Sequence, residues 1–160
     1  MQKNLDIHLD DVDKQILAIL MQDGKTSYAE IGKRLFISQG TVHLRLKKMT
    51  DLGLISGFQL QITPKTLGYD LTAFLGVFLE KSSMYNQVCE ELKKIPEVVS
   101  AHYTTGAYSL FLKIICRDTD HLRETLSNKI QNIQGISRTE TLISLDEPIH
   151  RPIDIIATLR

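Results

Sequence analysis

The run TSYAEIGKRLFISQGTVHLRLKKM constrains this chain most, because it holds two helix-start signals with room between them for only a short helix and a tight turn. Ser27 and Glu30 have the spacing of a capping box, and Tyr28, Ile31 and Leu35 follow at helical spacing. Ser38 is placed as a second N-cap, with Val42, Leu46 and Met49 on one stripe behind it and Gly53 as a stop. Upstream, a first helix from about Asp10 is acidic where the helix dipole favours acids. It carries Val12, Ile16, Leu17 and Leu20 as its buried stripe, and Gly24 is expected to end it. Three short one-sided helices so closely joined make a small bundle, and the second and third form a helix-turn-helix.

The 100° step of a helix sets Gly40, Leu44, Lys47 and Lys48 opposite the core stripe, with Gln39, Thr41 and His43 near the exposed first turn beside Ser38. Gln, Thr and His side chains pair with base edges, Leu44 can touch a thymine methyl, and the lysines can hold phosphates. Arg45 falls at the flank of the core stripe, where pairing with Asp13 or another acid competes with a phosphate contact. A formal net charge of zero argues against a nucleic-acid partner only on average. Locally, Lys25, Lys33, Arg34, Arg45, Lys47 and Lys48 stand against Glu30 alone, and Asp6, Asp10, Asp11, Asp13 and Asp51 flank them. The competing reading is a three-helix scaffold whose charged face is merely solvated. DGKTS at residues 23–27 contains the Gly-Lys-Thr of a phosphate-binding loop, but the first glycine of that motif would fall at Ile19, inside a helix. Nucleotide hydrolysis is not supported.

Residues 54–62, LISGFQLQI, read as strand, and TPKTLGYD supplies Pro64 and Gly68 for a linker over 63–70. The expected organisation is a DNA-binding domain over 1–62, that linker, and a second domain over 71–160. In the second domain, strands at 72–80, 98–104, 108–116 and 136–144 alternate with helices at 83–94 and 119–133, an α+β arrangement of the form βαββαβ. Tyr85, Val88, Cys89 and Leu92 line one helix, and Leu122, Leu126, Ile130 and Ile133 the other, so both cover one face of an antiparallel sheet. Strands such as LTAFLGVFL are too apolar to leave the other face in water, so a partner subunit should cover it. With 160 residues each domain buries only a modest core, which also favours oligomers. The tail LDEPIHRPIDIIATLR, with Pro148 and Pro152, should be extended, bury Ile149, Ile153, Ile155 and Ile156, and add to the sheet or cross to a partner.

Within HYTTGAYSLFLKII, two threonines, a glycine, a tyrosine and a serine crowd one turn between strand-like runs. A plain β-hairpin accounts for this, and so does a small-molecule pocket. Cys89 and Cys116 are isolated and read as reduced core thiols; the 5 histidines lack metal-ligand spacing, and no nucleophile motif appears, so an enzyme is not expected. No apolar run reaches the roughly 20 residues that span a bilayer, and the N-terminus lacks a signal sequence, so a cytoplasmic location without membrane partners is expected.

Two motifs carry a family resemblance over essentially the whole length. LDDVDKQILAILMQDGKTSYAEIGKRLFISQGTVHLRLKKMTDLGLISG is similar to the DNA-binding domain of the Lrp/AsnC family of transcription regulators, including Arg45 and the Gly-Leu-Ile exit at 53–55. The βαββαβ unit resembles that family's amino-acid-sensing RAM domain. The resemblance implies a winged helix-turn-helix domain followed by a ferredoxin-like domain, double-stranded DNA as partner, and a homodimer assembling to an octamer. It also implies an effector site at the turn between the second and third strands, near where dimers meet. There, backbone amides around Gly106 and Ala107 can meet a carboxylate, Thr104, Thr105 and Ser109 can serve either end of an amino acid, and Tyr103, Tyr108 and Gln131 can read its side chain. HYTTGAYSLFLKIICR and NKIQNIQGISRTETLISL look most like the asparagine-responsive, AsnC-like branch, whereas leucine-responsive members typically have acids where this chain has Ala107 and Ser109. Asparagine is the first candidate effector, with no other cofactor. An architectural DNA-binding protein without an effector is the alternative.

Overall fold

The computed structural model describes residues 8–154. Asp6, Ile155 and Ile156, invoked above, lie outside the described residues. The described residues divide into two compact units, one of residues 8–61 with 149–154, the other of Ile62–Pro148. No helix among the described residues is long and apolar enough to cross a membrane.

In the first unit, helices α1 (Asp11–Gln22), α2 (Tyr28–Leu35) and α3 (Gln39–Asp51) pack Ile16, Leu17, Leu20, Ile31, Val42, Leu46 and Met49 into one core. Asp10 caps α1 by accepting the Asp13 N–H at 2.8 Å, and Asp13 returns the bond at 3.3 Å. Gly24 does not end α1. The chain leaves through Asp23 in an extended conformation, and the Asp23 carboxylate accepts the Lys25 N–H at 2.9 Å, so a side-chain turn replaces a left-handed glycine. Ser27 and Ser38 cap α2 and α3 as expected, whereas Glu30 forms only half of its box and pairs with Arg34 at 3.0 Å. Gly53, with φ 74°, follows α3 in the left-handed region.

No strand forms over residues 54–62, against the sequence expectation of a strand beside the helices. A strand needs a ladder, and this segment finds none here, so Phe58, Leu60 and Ile62 remain exposed. Pro64–Leu67 makes one 3₁₀ turn closed by Gly68 at φ 79°.

The second unit is built from β1 (Leu71–Leu79), α4 (Tyr85–Leu92), β2 (Val98–Tyr103), β3 (Leu110–Cys116), α5 (Thr119–Glu124) and β4 (Ile136–Ile143). The strands pair antiparallel in the order β2-β3-β1-β4, so β2 and β4 are the two edges. Thr125–Ile130 continues α5 as a wider π turn, with the Gln131 N–H reaching the Leu126 carbonyl at 2.8 Å. Ala73, Leu75, Val77, Leu110, Leu112, Ile114 and Cys116 face the helices and meet Val88, Leu92, Leu122 and Ile130. Alternation puts Phe74, Phe78, Phe111 and Ile115 on the opposite face, where Phe74 and Phe111 stack at 5.8 Å. The tail over 145–154 forms no strand and leaves Ile149 and Ile153 exposed, although Glu147 pairs with Lys113 at 3.1 Å.

Candidate functional sites

The first site is the outer face of α3. Gln39, Gly40, His43, Leu44, Lys47 and Lys48 are all exposed, as the helical period requires once Val42, Leu46 and Met49 are buried. Ser38 Oγ accepts the Thr41 N–H at 3.0 Å and lies 2.8 Å from Thr41 Oγ1, so these two residues hold the first turn as well as lining it. Arg45 is the exception among the basic residues of α3. Its Nη1 donates to Asp10 Oδ2 at 2.6 Å and to Asp13 Oδ1 at 2.7 Å, which clamps α3 to the start of α1. Asp13 is only 5% exposed, and a carboxylate so buried needs a charged partner. The hydrogen bonds that Arg45 donates to Asp13 and then Asp10 raise its pKa, and the Asp13 N–H followed by Arg45 lowers that of Asp10. Arg45 Nη1 is therefore engaged within the fold, the acid-pairing alternative that its place at the flank of the core stripe allowed. Among the described residues, no ion pair engages Lys25, Lys33, Lys47 or Lys48. Tyr28, counted above as a core residue only, also sets its ring 6.1 Å from that of His43. Helix phase alone could not assign that contact, which depends on how α2 crosses α3.

The second site is the turn joining β2 to β3. The Thr104 N–H donates to the Ser109 carbonyl at 3.2 Å and Thr104 Oγ1 to the Tyr108 carbonyl at 2.7 Å, while Thr105, Gly106 and Ala107 project into solvent. Gly106 has φ 113° with nothing within 4 Å of a would-be Cβ, so backbone conformation, not crowding, calls for glycine. Ser109 is tied to β1, its N–H donating to the Val77 carbonyl at 2.9 Å and its Oγ accepting the Leu79 N–H at 3.4 Å.

The three side chains expected to read an effector diverge. Tyr108 lies across the open sheet face, directly over Gly76, where a Cβ would stand 2.4 Å from the ring. Its hydroxyl donates to Glu140 Oε2 at 2.8 Å on β4, and this bond, then burial, raises its pKa. Tyr103 sets its ring 4.6 Å from that of Tyr85 of α4, tilted by 51°. Gln131 donates to Thr139 Oγ1 of β4 at 3.0 Å. Tyr103 on β2 and Thr139, the β4 residue that holds Gln131, thus lie on the two edge strands, which stand roughly 14 Å apart at three strand spacings. One chain does not gather them around one amino acid. Gly76 and Glu140 were invisible as site residues in the sequence because their importance comes from strand register, which sets them opposite one another.

A third cluster also escaped the sequence reading. Glu97, 8% exposed, accepts Lys129 Nζ at 2.6 Å and His121 Nε2 at 3.0 Å. The Arg117 N–H points at His121 Nδ1 at 3.2 Å, which assigns the ring proton to Nε2. Burial pushes the Glu97 carboxyl up, but the Lys129 hydrogen bond and its companions outweigh this and hold it below the ordinary value. The cluster joins the strand entry at β2 to the π turn.

A helix-turn-helix with a free basic face, joined in one chain to a separate βαββαβ unit, defines a two-domain DNA-binding regulator. Family models agree, matching the AsnC-type helix-turn-helix domain over residues 9–50 and the Lrp/AsnC ligand binding domain over 72–153. Regulatory protein AsnC of Escherichia coli K12 is 44% identical over 145 residues, 91% of this chain and 95% of that protein. The Haemophilus influenzae AsnC is 42% identical over 146 residues, covering 91% and 97%. The solved structure of E. coli AsnC matches with a TM-score of 0.88 at 43% identity, over 92% of this chain and 99% of that one. A Neisseria meningitidis regulator in complex with L-Met has the same fold, with a TM-score of 0.86 at 23% identity over 90% and 94%. The chain belongs to the Lrp/AsnC family of transcriptional regulators.

Proposed function

We propose that this protein is an amino-acid-responsive regulator whose α3 enters the major groove of a specific duplex in the cytoplasm. Gln39, Thr41 and His43 contact base edges, Leu44 meets a thymine methyl, and Lys47 and Lys48 hold phosphates. The observation that carries this is the outer face of α3, which keeps its lysines unpaired while Arg45 is withdrawn into the fold. No catalytic role is proposed.

The effector is a free amino acid bound at the turn around Thr104, Thr105, Gly106, Ala107 and Ser109. Asparagine is the first candidate, because the turn offers neutral donors and acceptors and no acid. The separation of Tyr103 from Gln131 supports a site completed by a second subunit. The related fold with L-Met makes the effector class reasonable, though that ligand belongs to the Neisseria protein. The apolar open face, with Phe74 stacked on Phe111, supports a homodimer, and dimers assemble further to an octamer.

A DNA footprint with and without each proteinogenic amino acid, alongside the mass in solution, tests this reading. An effector-dependent footprint and a dimer or larger species are expected. A footprint indifferent to every amino acid would favour the architectural alternative, and a monomer at micromolar concentration would reject the shared site.

A further inference from the structure

Phe36 closes α2 in the left-handed region, at φ 57° and ψ 38°, and it is the one non-glycine residue with positive φ among the described residues. The tightness of the turn imposes that conformation. Gly32 lies so close beneath it that a Cβ there would stand 2.6 Å from the Ile37 carbonyl oxygen. The N–H groups of Phe36 and Ile37 both donate to the Gly32 carbonyl, the latter at 2.9 Å. This end of a helix takes glycine or asparagine readily, whereas a bulky residue there is strained. The fold gains nothing from the side chain in exchange. Ile37 packs on the helical core, but Phe36 is 96% exposed.

Exposure of a single aromatic would mean little by itself, but one held at a strained backbone position points to a functional contact. The charge around it indicates which. Lys33 and Arg34 lie three and two residues before Phe36, Arg34 also pairing with Glu30, and Ser38 two residues on caps α3, whose outer face carries Lys47 and Lys48. A polyanion suits that rim, and duplex DNA also offers apolar surface, in its deoxyribose carbons and thymine methyls. We infer that Phe36 is a DNA-contacting residue, packing on that apolar surface at the edge of the groove that α3 enters. The inference rests on the DNA-binding reading above and adds to it a contact that is neither a hydrogen bond nor a charge.

The test uses the full chain and a duplex that the wild type selects from a random-sequence pool. Affinity against salt and thermal melting are measured for the wild type, Phe36→Gly, Phe36→Asn and Lys47→Ala. Both Phe36 variants should melt at or above the parent temperature, because each relieves the left-handed strain. Both should bind the duplex about five- to tenfold more weakly. Their salt slope should match the parent's, since no phosphate contact is removed, while Lys47→Ala should flatten it. Phe36 variants that bind as tightly as the parent overturn the inference, as would be seen if a protein partner occupied the position. Variants that melt lower also overturn it, since Phe36 would then serve the fold. If Lys47→Ala behaves as expected in the same series, the DNA-binding reading survives either outcome. A wild type that selects no duplex removes that reading and the inference together.

Discussion

The two sites differ in how much of each a single chain can build. The α3 face is complete in one unit, because helix period, two serine caps and one ion-pair clamp are enough to present it. The turn proposed to hold the effector is not gathered by one chain. Its backbone is formed and its glycine is in place, but Tyr108 lies on one face of the sheet while Tyr103 and Thr139, which holds Gln131, sit on the two edge strands. A face on a helix needs only its own local order, whereas residues around a sheet turn are placed by strand register between segments far apart in the chain.

Breaking the clamp should separate the units most strongly. Arg45→Met strands the buried Asp13 and should destabilise the helical unit by about 2 to 3 kcal/mol. This is below the full cost of breaking a buried pair, because the Arg45 side chain is 30% exposed. Differential scanning calorimetry should show the helical transition move down while the sheet transition stays. The second unit has its own charged tie, and it responds to acid. The folded Glu97 carboxyl titrates below its ordinary value, so the stability it contributes is complete above the unfolded carboxyl pKa of about 4.3 and is lost as pH falls through the lower folded value. Glu97→Gln should cost about 2 kcal/mol at pH 7 and flatten the acid limb of the sheet unit's melting. A parent and variant with parallel acid limbs would show that another carboxylate controls it.

Smaller changes sharpen the contrast by touching function instead of folding. Gln39→Ala or His43→Ala should alter base preference, each costing about 1 to 3 kcal/mol of discrimination at one position, as read by binding to a panel of single-base variants. Equal losses on every duplex would reassign them to phosphates. Gly106→Val should cost about 1 to 2 kcal/mol through backbone strain at φ 113° and abolish effector binding by calorimetry. Its DNA affinity without effector should equal the parent's, since α3 is untouched.

The helical unit was the more legible in the sequence. Val42, Leu46 and Met49 are buried where their spacing set them, and Ser27 and Ser38 are the caps. Its misses come from competition between local options. The Asp23 side chain, not Gly24, turned the chain out of α1, while the pairing of Arg45 with Asp13 is one of the two readings its flank position left open. Residues 54–62 have strand composition, yet propensity cannot supply the neighbour that a ladder needs. In the sheet unit the order of elements was readable from alternation. The positions of Tyr108, Gly76 and Glu140 were not, because each depends on pairing between residues far apart in the chain.

The smallest expected effect probes the link between the turn and the sheet. Tyr108→Phe keeps a ring over Gly76 and its edge contact with Phe78, whose centroid lies 5.2 Å away, so packing is preserved. It removes only the hydroxyl bond to Glu140, a partly exposed contact contributing about 0.5 to 1 kcal/mol, and melting should fall by a few degrees at most. The functional consequence should exceed the structural one. That bond is a direct tie between the effector turn and the edge strand β4, which also holds Gln131 through Thr139. If a shared site forms between subunits, loosening the tie should reduce the effector-induced change in DNA affinity while leaving effector-free affinity alone. Linkage requires that DNA then shift effector affinity less, by the same factor, so titrations in both directions check one another. A Tyr108→Phe protein with full effector response in both titrations would show that the turn acts through its backbone alone.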